Sequence, residues 1–136
     1  MLRHNLGRVV LLLSVTICGA CSVGERHAVA EQEVVKIRHL IFESRFEEVY
    51  DNASEEFKRT VLLAEFEKTL STVRHELGEP ERFRLVQKGV SQDLSHGMLL
   101  ILIYDANTPD RVVRDEFVFE MKNGRPKLFN YRYEPK

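Results

Sequence analysis

Asp115 is the residue of this chain whose setting most invites chemistry. Strict alternation through Val112–Lys122 puts it on one strand face with Val113, Phe117, Phe119 and Met121. A carboxylate desolvated among apolar side chains has its pKa pushed up, which suits a general base working near neutral pH. A plain structural account fits the same residue: a place at a strand end, in water or paired with Arg114 or Arg132. The five histidines offer less. None forms a His-x-x-x-His or His-Glu-x-x-His pair, so a zinc site has no local support. His27 falls in a weakly patterned stretch, His75 beside Arg74 and Glu76 reads as a solvated helix residue, and His96 falls in a turn; His39, among apolar neighbours, faces either a pocket or the core edge. Asp105-x-Asn107 with Glu116 has the outline of a calcium loop, but Pro109 and Asp110 stand where a ligand and the turn glycine belong, so the segment reads as a hairpin. No nucleophile-elbow serine and no Gly-rich phosphate loop is present. The expected metal and cofactor content is none.

The two cysteines, Cys18 and Cys21, lie near the N-terminus. Arg3 and Arg8 lead into the apolar run Val9–Ile17, and Gly19-Ala20 follow, the layout of an export signal. The run is too short to cross a bilayer core, which takes about 20 apolar residues. Ile17-Cys18-Gly19-Ala20-Cys21 resembles the lipobox of bacterial lipoproteins, departing from it at Cys18, where an aliphatic residue is usual. The resemblance implies cleavage before Cys21, diacylation of its thiol and a membrane anchor. Two or three acyl chains, at about 0.8 kcal/mol per buried methylene, hold a protein stably where one does not. It also implies a domain facing the periplasm. Ser22, standing where Asp retains enteric lipoproteins at the inner membrane, points to the outer membrane. The plainer alternative is an ordinary cut after Ala20 with Cys21 left unmodified.

Loss of residues 1–20 leaves Cys21 as the single cysteine, and none once its thiol is acylated. An intrachain disulfide and a thiolate nucleophile are then excluded, and packing must supply the stability. The net charge of −1 becomes two units more negative without Arg3 and Arg8, which gives no basic surface for nucleic acid.

The elements that must position Asp115 follow from periodicity. Ser22–Ala30 is mixed and reads as a tether, giving a division into a signal peptide at 1–20, a lipidated tether at 21–30 and a domain at 31–136. From Glu31, Val34, Ile37, Leu40 and Ile41 recur at helical spacing, and Phe42, Phe46, Val49 and Tyr50 prolong the stripe past a kink near Ser44. Ser54 with Glu55-Glu56 starts a short helix to Val61. Leu63, Phe66, Leu70, Val73 and Leu77 mark the clearest amphipathic helix, stopped by Gly78-Glu79-Pro80. Beyond Pro80 the pattern is strand: Glu81–Val90, the apolar run Met98–Tyr104, Val112–Lys122, and Lys127–Tyr133 after an Asn123-Gly124 hairpin turn. The expected fold is α+β, three N-terminal helices packed on one face of a curved four-stranded antiparallel sheet.

Phe46-Glu47-Glu48-Val49-Tyr50-Asp51, Ser54–Lys58, the Leu77-Gly78 helix end, Glu116–Phe119, Asn123-Gly124 and Asn130-Tyr131 together resemble a family of small exported bacterial proteins similar to the nuclear transport factor 2-like, cone-shaped α+β superfamily. The resemblance covers roughly residues 31 to 133 and rests on packing and turn signals. It implies a fold more than an activity, because that superfamily holds both enzymes and binding modules. Its ketosteroid-isomerase-like enzymes use a pocket carboxylate and a tyrosine hydroxyl. By that analogy Asp115 pairs with Tyr104, Tyr131 or Tyr50, although no motif here matches their catalytic pattern. The expected function is a non-catalytic binding or interaction module for an envelope protein or a small apolar ligand. The alternative is a cofactor-free isomerase or hydratase with Asp115 as base. A third reading has the outer sheet face, through Phe129 or Tyr133, docking another envelope protein or a second copy as a homodimer.

Overall fold

The structure, a computed structural model, describes residues 22–136. Cys21 and the export-signal pattern lie outside the described residues. Ser22 is extended, and its hydroxyl accepts from the Glu25 amide at 3.2 Å while the Glu25 carboxylate accepts from the Ser22 amide at 3.3 Å. This reciprocal box satisfies two amides that a helix start leaves unpaired. Helix α1 therefore runs Val23–Phe42 rather than starting at Glu31. The stretch expected as a tether forms its first turns, with Ala30 and His27 buried. Ala30, Val34, Ile37 and Ile41 continue one stripe, so the helical period extends upstream on small residues that periodicity counts weakly.

Ser44, at φ +61°, ends the long amphipathic stretch. The Arg45 amide folds back onto the Leu40 carbonyl at 2.8 Å, and the chain restarts as α2, Phe46–Asp51. The break expected as a kink is thus a helix end, and the domain has four α-helices where three were expected. The Ser54 hydroxyl accepts from the Phe57 amide at 3.0 Å to open α3, Glu55–Thr60. The Ser54 amide donates to the Leu128 carbonyl at 2.9 Å, tying this helix to the sheet. Helix α4 spans Leu63–Leu77 and stops at Gly78, whose φ of +66° a side chain would strain. A single 3-10 turn, Pro80–Arg82, leads into the strands.

Strands β1 (Phe83–Asp93), β2 (Gly97–Asn107), β3 (Val112–Lys122) and β4 (Arg125–Pro135) form an antiparallel meander in sequence order. The apolar run Met98–Tyr104 is the interior strand β2. Leu100, Phe119 and Leu128 stand in one row, Leu102, Phe117 and Tyr131 in the next, then Tyr104, Asp115 and Tyr133. Paired residues share a face, so this face carries the core. A bulge opposite Val118/Phe119 gives β4 an extra residue, Phe129. Alternation beyond it shifts by one, which sends Tyr131 and Tyr133 to the core face. Aromatic rings fill the interior: Phe57 to Phe66 at 4.9 Å, Phe66 to Tyr131 at 6.2 Å, and Tyr131 to Phe117 at 4.9 Å between centroids.

Candidate functional site

The third core row brings Asp115 beneath α1. Arg38 occupies the buried stripe of that helix, four residues after Val34 and three before Ile41, and reaches down to it. Its Nη1 donates to Asp115 Oδ2 at 2.8 Å and its Nη2 to Oδ1 at 3.0 Å, the bidentate geometry of a guanidinium on a carboxylate. Arg38 is 6% exposed and Asp115 0%. The guanidinium also lies over the Phe83 ring at 3.5 Å, with Tyr104 at 4.7 Å and Phe117 at 5.2 Å from its Cζ. An aromatic box of this kind contributes about 0.5–2 kcal/mol through cation–π attraction. The Tyr131 hydroxyl makes a longer contact, donating to Asp115 Oδ2 at 3.4 Å.

Burial pushes the Asp115 carboxyl above the ordinary aspartate range, while Arg38 and the Tyr131 hydrogen bond pull it down. The upward direction is the one alternation implied. Yet both oxygens already accept from Arg38 and no part of the residue meets solvent. A base must come within hydrogen-bond reach of the proton it takes.

Of the three tyrosines weighed with Asp115, Tyr131 touches it. Tyr104 stands opposite it in the register and over Arg38, its hydroxyl raised by burial to about 12. Tyr50 lies elsewhere, donating to the Lys58 and Val61 carbonyls and closing the end of α3. Neither expected outer-face contact stands free on that face. Tyr133 donates to Glu76 of α4, and Phe129 packs edge-on against His96 at 4.9 Å. His27 is buried with its Nε2 3.0 Å from the Gly89 carbonyl, and His39 and His75 are exposed.

Arg114, offered as a partner for Asp115, pairs instead with Asp105 on the opposite sheet face, at 2.7 and 3.0 Å, and Lys136 joins at 3.0 Å. Hydrogen bonding from Arg114 holds the Asp105 carboxyl down at about 2, against about 3.9 for a free aspartate. Because the folded value lies below the unfolded one, this stabilisation is fully present above about pH 4 and is lost as the pH falls through about 2. Asp105→Asn is expected to cost on the order of 1–2 kcal/mol at neutral pH, the water-exposed partners reducing the full linkage figure, and little at the acid end. Carbon-detected titration of Asp105 checks this, and a midpoint near 3.9 would show the pairs absent in solution.

Beside Arg38 a crevice of about 20 Å³ opens between Phe42, Val73, Leu77, Gly78 and Phe83, room for about one water. Among the described residues no group of three or more His, Cys, Asp or Glu is placed to hold a metal ion, and no helix is long and apolar enough to cross a membrane. Arg38 was absent from the sequence reading, although a charge in the stripe Val34-Ile37-Ile41 facing an acid in the stripe Val113-Phe117-Phe119 was the available signal. Neither the family models nor the curated proteins compared with this chain give a match.

Proposed function

We propose that the chain is an envelope lipoprotein, held at the outer membrane by acyl chains on Cys21 after removal of residues 1–20, whose domain is a non-catalytic binding or interaction module. The observation that carries this reading is the run from Arg3 through Val9–Ile17 to Gly19-Ala20-Cys21, with the first described residue, Ser22, opening a capped helix directly after it. The non-catalytic part is supported by Asp115, the acid best suited to be a base, having both oxygens engaged by Arg38. The cone-like arrangement, helices gathered on one face of a curved sheet, is supported by the core cluster. Residues of all four helices join Leu100, Leu102, Phe117 and Phe119 in it.

Mass measurement on protein extracted from bacterial membranes tests the anchor. A chain beginning at Cys21 and carrying acyl mass is the expected result. Cys21→Ser should abolish the acyl mass and move the protein almost wholly from the membrane to the soluble fraction. An unmodified chain at Cys21 that stays on the membrane would refute the reading. A native spectrum with extra mass that disappears on denaturation identifies a bound ligand or partner.

A further inference from the structure

The end of the domain at which Ser22 opens α1 carries exposed apolar side chains. Leu94, at the tip of the β1–β2 hairpin, is 109% exposed, and Val23 and Val90 are 42% exposed each. Contacts of α1 place these side by side. Arg26 donates to the Met98 sulfur at 3.3 Å and His27 meets the Gly89 carbonyl, so the first turns of α1 lie along the hairpin. Met98 pairs with Gln92, and from that row the tip is about two residues away, roughly 6 Å of strand. From Arg26 back to Ser22 the helix covers about the same length. Helix start and hairpin tip therefore leave the domain at the same end.

The β3–β4 turn leaves at that end too, since Leu99 pairs with both Ser91 and Glu120. It brings Lys122 and Arg125, paired in register across the turn. Among the described residues no ion pair engages either. Of the acids around this turn, Asp93 is engaged by Ser95 and His96, Glu55 by Lys58, Glu56 by Arg59 and Glu25 by the helix cap; Glu33, which shares a groove with Arg125, pairs with Lys36 at 4.0 Å, and Glu120 stands opposite Lys127 in the register. Exposed leucine and valine with unpaired lysine and arginine, beside an acylated residue, match a bilayer surface with anionic headgroups.

We propose that this end docks on a phospholipid bilayer, Leu94 entering the headgroup region while Lys122 and Arg125 meet anionic phosphates. The inference rests on Cys21 being acylated. It fixes the orientation of the domain: the β2–β3 turn, Thr108–Arg111, then points away from the membrane and is the end free for partners.

The test uses the full-length protein with an environment-sensitive fluorophore on Leu94→Cys or, at the opposite end, on Asp110→Cys. The sulfur of an acylated Cys21 is a thioether and takes no label. The labelled proteins are placed in phosphatidylethanolamine–phosphatidylglycerol vesicles containing doxyl lipid. Docking predicts blue-shifted emission and several-fold stronger quenching at 94 than at 110, weakened by Lys122→Glu with Arg125→Glu. Equal, water-like emission at both positions on an acylated sample overturns docking and leaves the anchor standing. A blue shift at 94 without lipid quenching also overturns it, since protein then covers the tip. Mass measured on the same sample separates these results from failure of the anchor, in which case docking falls with it.

Discussion

Arg38→Met and Asp115→Leu, introduced singly, should each lower the unfolding free energy by about 3–5 kcal/mol, because each strands the other charge in a buried site. A domain of this size typically holds 5–15 kcal/mol, so either variant would lose a large share of its stability. The double variant Arg38→Met with Asp115→Leu should recover most of the loss, since a buried ion pair replaced by apolar side chains of similar volume is often neutral. Met keeps the stem that packs over Phe83, which separates loss of charge from loss of packing. Tyr131→Phe, losing a 3.4 Å contact, should cost far less. Urea unfolding of the parent, the two single variants and the double variant supplies the cycle, and a coupling energy near zero would mean the pair does not form. A catalytic Asp115 makes the opposite prediction: Asp115→Asn would leave folding intact and abolish a turnover.

That pair also marks where the sequence stopped being legible. Helix α4 and strand β3 were readable to the residue, because Gly78-Glu79-Pro80 and Asn123-Gly124 impose backbone geometry that few residues tolerate. Ser54 likewise announced its own helix. The start of α1 was hidden, since Val23–Ala30 has too few large apolar residues to show a period and its signal is a capping box of hydrogen bonds. Arg38 and Asp115 stand 77 positions apart, and no local pattern joins them. What was visible on each was a charge in an apolar stripe. Buried charges occur in pairs, so two such anomalies in one small domain are each other's natural explanation. The faces of Phe129, Tyr131 and Tyr133 were left open by the sequence, because a bulge interrupts the alternation of β4 and bulges leave little trace in composition.

Phe117→Ala should cost about 3–5 kcal/mol, the other large effect, and it decides whether the interior is filled. Phe117 is 0% exposed, centred between Tyr104 at 6.0 Å, Phe119 at 6.1 Å and Tyr131 at 4.9 Å. These neighbours belong to three adjacent strands, and Tyr104 lies in the row beneath Arg38, so they cannot close on the vacancy without breaking the register of the sheet or the ion pair. The loss therefore includes both the transfer energy of the ring and a cavity term. Leu94→Ala is the internal contrast, within about 0.5 kcal/mol, because that side chain has no packing to lose. Urea unfolding measures both. The cavity left by Phe117 should stay dry where its walls are aromatic, so benzene should raise the melting temperature of the variant and leave the parent unchanged. Benzene stabilisation of the parent, with Phe117→Ala costing less than about 1.5 kcal/mol, would mean the interior already repacks around a guest. An interior of that kind could admit a small apolar ligand close to Asp115, and the pocket-enzyme alternative would then regain the space that its chemistry requires.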